Sequence, residues 1–134
     1  KEHEEAEFTL TRLKEKGVKA KAYSHDLKDA DQSKKLIENV VNDFGGLNIL
    51  VNNGGVQFPN EDFLDIKPEH FNETFKTNIF GMFFLTQAAV PHLSKGDAIV
   101  NTTSVTAYRG SGHLIEYSAT KGLLYRSHVL LRLH

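Results

Sequence analysis

The sequence predicts an α/β fold, a parallel sheet covered by helices, with three strands and about four helices in a single domain spanning residues 1–134. Three observations carry that prediction. Helical and strand-like stretches alternate along the chain, as in βαβ units. Two short runs, 47–51 and 98–103, are apolar and β-branched without strict alternation, the pattern of strands buried in a parallel sheet. Glycine pairs punctuate the element ends, at Gly45-Gly46 and Gly54-Gly55.

Residues 1–16 are rich in Glu and Lys, with Ala6, Leu10 and Leu13 as a sparse apolar stripe, and predict an exposed helix closed by Gly17. Val18 to Tyr23 alternates and predicts a strand, leading into Ser24-His25-Asp26-Leu27. Asp29 or Asp31 can cap the next helix, whose inner stripe is Leu36, Ile37, Val40, Val41 and Phe44. Leu47 to Val51 follows as a short buried strand, and residues 57–67 as a loop containing Pro59. Pro68 opens a long helix running toward Leu93, with a broad apolar face that includes Phe71, Phe75, Ile79, Met82 and Phe83. That face can serve the core or a partner subunit. Ala98 to Thr103 is the third strand and ends at Ser104; a loop with Gly110 and Gly112 then leads to a helix carrying Tyr117 and Lys121.

Tyr117 and Lys121 stand four residues apart, which places both on one face of a helix. A free tyrosine titrates near 10 and exchanges protons poorly at neutral pH. A neighbouring cation favours the phenolate and brings such a group toward the range useful for acid–base chemistry. A serine at the end of the adjacent strand can hydrogen-bond the same reacting oxygen. The set suits proton exchange with an alcohol or carbonyl oxygen. Taken alone, Tyr-x-x-x-Lys is also the pattern of a packed ring beside a solvated lysine. Asn52-Asn53-Gly54-Gly55 follows a strand, where open α/β sheets bind ligands, although Asn-Gly is also a common turn. Asn78 falls in the middle of the long helix, where an amide is either solvent-facing, bonded back to the helix or functional. Asp26 reads equally as a cap or as a binding residue.

With Asn52-Asn53-Gly54-Gly55, Asn78 within Lys76-Thr-Asn-Ile-Phe-Gly81, Ser104 after a strand and Tyr117-Ser-Ala-Thr-Lys121 in this order, the chain resembles the short-chain dehydrogenase/reductase family. The wording around these motifs is similar to that of bacterial glucose/ribitol-type dehydrogenases. The resemblance implies a Rossmann-like, doubly wound parallel sheet of which the first two and the last strands are missing here. It implies NAD or NADP as cofactor and a small-molecule alcohol or carbonyl as substrate. Tyr117 would be the general acid/base; Lys121 would assist it and touch the nicotinamide ribose. Ser104 would orient the substrate oxygen and Asn78 would support a proton relay through a water. Asp26 and Leu27 would contact the adenine, and Asn52 and Gly54 would line the adenosine side. The resemblance also implies a homo-oligomer in the full-length protein, formed through the long helix and the Tyr117 helix. No Gly-rich pyrophosphate turn precedes Asn52, and no substrate-covering loop follows Gly122, so the expectation is an internal piece of a larger enzyme, inactive by itself. The rival reading is a non-catalytic chain that acts only as an interaction or dimerisation module, through the helices Phe71–Ala89 and Tyr117–Leu133.

Composition narrows the alternatives. A net charge of −1 gives no electrostatic case for nucleic acid or an anionic membrane. With zero cysteines, disulfides and thiolate metal sites are excluded. The seven histidines (3, 25, 70, 92, 113, 128 and 134) form no i,i+4 pair with a flanking acid, so no metal site is expected. No serine sits in a Gly-x-Ser-x-Gly elbow, which argues against a hydrolase. No apolar run reaches the roughly 20 residues of a membrane helix, and a cytoplasmic protein is expected. A methyltransferase on a similar fold would have no use for the Ser–Tyr–Lys set.

Overall fold

A parallel pair of strands, β1 (Ile49–Asn52) and β2 (Ala98–Asn101), forms the sheet, in register from Ile49 opposite Ala98 to Asn52 opposite Asn101. The structure, a computed structural model, describes residues 2–127. The apolar tail 128–134, with His128, His134 and the end of the Tyr117–Leu133 stretch, lies outside the described residues. The architecture is α/β, with a short parallel sheet and flanking helices, as the alternating pattern predicts.

Helix α1 (Glu2–Glu15) is solvent-exposed along most of its length and ends where Gly17 turns to φ +71°, with Val18 N–H donating to Leu13 O at 3.0 Å. Helix α2 (Ala30–Phe44) starts at Asp29, whose carboxylate accepts from Asp31 N–H and Gln32 N–H, and stops at Gly45 with φ +82°. Between the competing caps, Asp29 wins because it alone has extended backbone ahead of the first turn. Ile37 of α2 packs with Leu50 of β1 and with Leu85 and Ala89 of the later helix α4 to make the buried core. Phe44, expected on that inner face, is instead exposed, with the Lys19 ammonium 4.8 Å from its ring centre.

The strand expected over Val18–Tyr23 does not form: 18–23 makes no ladder with β1 or β2, the two strands of the sheet among the described residues. The period-2 pattern survives in what its side chains do. Lys19 Nζ donates to Asp43 O at 2.6 Å, Lys21 Nζ meets Asp43 Oδ2 at 2.6 Å, and Tyr23 OH donates to the same carboxylate. Alternate residues therefore point to the end of α2, as on an extended chain. Backbone pairing needs a neighbouring strand, and no described strand lies beside this segment. Burial, then the Asp43 carboxylate, pushes the Tyr23 phenol up to about 12, while Lys21 and Tyr23 hold Asp43 below the usual carboxylate range.

The long helix predicted from Pro68 toward Leu93 is one rod with an interruption. Helix α3 (Pro68–Phe75) passes into a π-helical turn, Lys76–Phe80, and resumes as α4 (Gly81–Ala89) before a 3₁₀ turn, Val90–His92, around Pro91. The widened turn is closed by Gly81 N–H donating to Lys76 O, and Asn78 sits at its centre. After β2, a single helical turn α5 (Thr106–Arg109) occupies the expected loop, and α6 (Ile115–Ser127) carries Tyr117 and Lys121. The strands were expected to be buried on both sides. Leu50 and Ile99 do pack on the core, but Ile49 and Val51 are 63% and 55% exposed, because no described element covers that face.

The Asp29 cap generates a pH-dependent prediction. Its carboxyl is held below the usual range, first by the Gln32 backbone bond. A depressed folded value means the cap's contribution is fully present above the unfolded carboxylate value, about 3.9, and fades as pH falls through the folded one. Asp29→Ala should therefore lower the urea midpoint at pH 7, and its difference from the native protein should shrink toward pH 3. A constant difference across that range would contradict the assignment.

Candidate functional site

The site is built where the exits of both strands meet the π-turn and helix α6. Asn78 is 1% exposed, and its amide bonds in three directions. Its Oδ1 accepts from Val56 N–H at 2.8 Å, and its Nδ2 donates to Val56 O at 3.0 Å and to Thr120 Oγ1 at 3.1 Å. Thr120 Oγ1 in turn donates to Tyr117 O at 2.7 Å. One side chain thus clamps the end of the Asn-Asn-Gly-Gly loop to the helix that carries Tyr117. Of the readings open for Asn78, neither the solvent-facing nor the back-bonded one holds.

Tyr117 and Lys121 share a face of α6, as their spacing predicts, with Lys121 Nζ 5.5 Å from the Tyr117 ring centre. Lys121 is 3% exposed, so it is not a solvated lysine beside a packed ring. Its Nζ donates to Thr102 O at 2.9 Å, and Thr103 Oγ1 donates to Lys121 O at 2.9 Å, which stitches the exit of β2 to α6 twice. Burial pushes the Lys121 ammonium below its ordinary value. Ser104 follows on the same strand exit. Its Oγ accepts from Thr106 N–H at 3.2 Å and from Thr106 Oγ1 at 3.1 Å, which turns the chain into α5, and among the described residues it has no hydrogen bond to Tyr117.

The residues expected on the adenosine side form a second group. Leu27, Asn52, Gly54 and Asn78 line a cleft of about 360 Å³. Leu27 is wedged between glycines: a Cβ at Gly54 would stand 2.6 Å from Leu27 Cδ1, and one at Gly81 would stand 3.0 Å from Leu27 O. Asp26 lies beside the cleft rather than in its lining. Its Oδ1 accepts from Lys28 N–H at 2.9 Å, the work of a turn residue. Asn52 Nδ2 donates to Thr86 Oγ1 at 3.0 Å and to Asn101 Oδ1 at 2.8 Å, so its donors tie β1 to α4 and β2.

Gly55 joins the two groups. A Cβ there would lie 3.1 Å from Asn78 Oδ1 and 3.7 Å from Lys121 Nζ, so the loop backbone rests directly on both. Thr120, Thr102 and Val56 also belong to the site, and sequence reasoning passed over all three. Two of them act through backbone groups, which carry no signal in residue type. Thr120 could have been found as the residue one helical turn beyond Glu116 on the face next to Lys121. Among the described residues no cluster of three or more His, Cys, Asp or Glu could hold a metal, and no helix is long and apolar enough to cross a membrane.

Comparisons with known proteins point to one family. A family model described as short chain dehydrogenase matches residues 1–126. An uncharacterised oxidoreductase of Bacillus subtilis is 44% identical over 123 residues, 92% of this chain and 43% of the relative. The glucose and ribitol dehydrogenase of Daucus carota is 41% identical over 127 residues, again 92% of this chain and 44% of the relative. The crystal structure of a short chain dehydrogenase from Burkholderia cenocepacia in complex with NADP superposes with a TM-score of 0.87 at 30% identity, covering 92% of this chain and 51% of that one. The chain therefore spans less than half the length of these two curated relatives.

The two loop glycines give a testable contrast. Gly54→Ala meets only the terminal methyl of Leu27, which can rotate away. Gly55→Ala meets an amide pinned by three hydrogen bonds. Gly55→Ala should therefore lower the thermal midpoint of the full-length protein more than Gly54→Ala, despite the longer distance. The reverse order would show that Asn78 can yield.

Proposed function

Because the chain belongs to the short-chain dehydrogenase family, we propose that it carries the proton-transfer part of a NAD- or NADP-dependent oxidoreductase that interconverts an alcohol and a carbonyl. The observation that carries this reading is the buried Lys121 ammonium 5.5 Å from the Tyr117 ring, on a helix anchored through Thr120 to Asn78. A lysine held beside the ring and out of water is the kind of partner that acid–base chemistry at Tyr117 requires.

The residues present fit a dinucleotide. The Leu27–Asn52–Gly54 cleft has Gly54 in its wall, and two buried polar atoms of its lining residues, His25 Nε2 and Asn52 Oδ1, have no partner among the described residues. Leu27, Asn52 and Gly54 would hold the adenosine side, with Asp26 at the rim and Lys121 near the nicotinamide ribose. When bound, the cofactor supplies or accepts the hydride.

In the reductive direction Tyr117 donates its phenolic proton to the oxygen of the carbonyl as that oxygen becomes an alcohol. In the oxidative direction the Tyr117 phenolate oxygen takes the proton back from the alcohol. Ser104 Oγ accepts both of its bonds from Thr106, so its own proton remains to be donated to the substrate oxygen. Asn78 holds the loop and the helix in mutual position while the proton moves; a relay water bound there would connect Lys121 to solvent. The substrate class is a small alcohol or carbonyl compound, with the polyol and sugar type favoured by the similarity to glucose and ribitol dehydrogenase.

A second reading has an observation of its own. Ile79, Phe80, Phe83 and Leu123 border an exposed apolar groove of about 410 Å³ on the α4 and α6 side. It supports a homo-oligomer in the full-length protein, and for a non-catalytic chain it would be the whole function. Tyr117→Phe separates the two. In the full-length protein the variant should lose about 10²- to 10⁴-fold in kcat, with little change in the KM for cofactor and an unchanged elution volume. Near-normal turnover would contradict the acid–base role, and dimerisation without any cofactor binding would favour the interaction module.

A further inference from the structure

Glu116, immediately before Tyr117, is fully buried, and neither of its carboxylate oxygens has a hydrogen-bond partner among the described residues. His70 Nδ1 is also buried and unpartnered. The two residues stand on helices packed against each other, α3 and α6. These helices run in the same direction. Ahead of both, Asn60 N–H donates to His113 O at 3.0 Å; further along both, Asn78 bonds Thr120. Glu116 is one turn back from Thr120 on the same face of α6. Thr74, fully buried, and then His70 are one and two turns back from Asn78. Register therefore brings Glu116 level with Thr74, with His70 the next turn of α3 on the same face. Thr74 spends its proton on His70 O at 2.8 Å, so it does not donate to the carboxylate. The imidazole plane is fixed by stacking on Phe58, with ring centres 4.3 Å apart.

A buried carboxylate with no partner is unfavourable unless something satisfies it. Internal waters occupy such places, typically with about three hydrogen bonds to otherwise unsatisfied groups. Two carboxylate oxygens and one imidazole nitrogen on facing helices supply that number. We propose that Glu116 and His70 are joined across the α3–α6 interface through an ordered buried water, and that the pair is a positioning device for the first turn of α6, which carries Tyr117. Its kinetic consequence rests on the acid–base reading of Tyr117; the coupling itself does not.

The test is a double-mutant cycle in the full-length protein with Glu116→Met and His70→Phe. Methionine matches the length of the glutamate without its oxygens, and phenylalanine keeps the stack on Phe58 without the nitrogen. Each single change leaves the other group unsatisfied, so each should lower the urea midpoint, while the double variant should fall no further than the worse single. Glu116→Gln and His70→Asn, which keep a polar atom for the water, should stay near the native midpoint. In turnover, the two apolar singles should lose about tenfold in kcat with the cofactor KM held within about twofold. Additive midpoints, or Gln and Asn variants as damaged as the apolar ones, would overturn the coupling. An unchanged kcat, or a loss mirrored in KM, would overturn the positioning role. If the native protein turned over no carbonyl substrate at all, the proposed reaction would fail, and the midpoint cycle would still decide the coupling.

Discussion

The structure depends on a single amide. Asn78 satisfies both backbone groups of Val56 and the hydroxyl of Thr120, so three segments distant in sequence meet at one side chain. Such a residue would ordinarily be disfavoured inside a helix, because its side chain competes with the backbone for hydrogen bonds. Here the helix gives way instead. It widens into a π-turn around Asn78, and the amide is buried with every polar atom engaged. A buried polar network that is fully satisfied is rigid, and losing one member strands the others.

The consequence for chemistry is that position is set from two sides. From the loop side, the Gly55 backbone lies against both Asn78 and Lys121, at a separation where a Cβ would press on the Asn78 amide. From the strand side, Thr102 and Thr103 exchange bonds with Lys121 through its ammonium and its carbonyl. Lys121 is thus buried and fixed beside the Tyr117 ring. Burial lowers its affinity for a proton, and the Thr102 carbonyl gives the ammonium a partner. Ser104 stands apart from this pair. Its Oγ accepts twice from Thr106 at the start of α5, which leaves its own proton uncommitted.

Much of the scaffold was legible because it rests on local chemistry. Asp29, Gly17 and Gly45 bound helices through cap geometry that residue type announces. The shared face of Tyr117 and Lys121 follows from helical periodicity alone. What escaped has a nonlocal cause. Val18–Tyr23 has the composition of a strand, but a ladder needs a neighbour, and the segment is held by Asp43 instead. The interruption of the 68–89 rod depends on Val56 and Thr120, which nothing near Asn78 in sequence reveals. Asn52 and Asp26 were expected to face a ligand. Their side chains also bond within the chain, to the sheet and to a turn, while Asn52 Oδ1 is buried in the cleft lining with no partner among the described residues.

The clamp can be read directly by amide hydrogen exchange at Val56 in the full-length protein. Val56 lies in a loop with no ladder or helix bond of its own, so Asn78 is what protects its N–H. This amide should exchange slowly, with the core, and at least about tenfold faster in Asn78→Leu. Fast exchange at Val56 in the native protein, or no change on losing the amide, would contradict it.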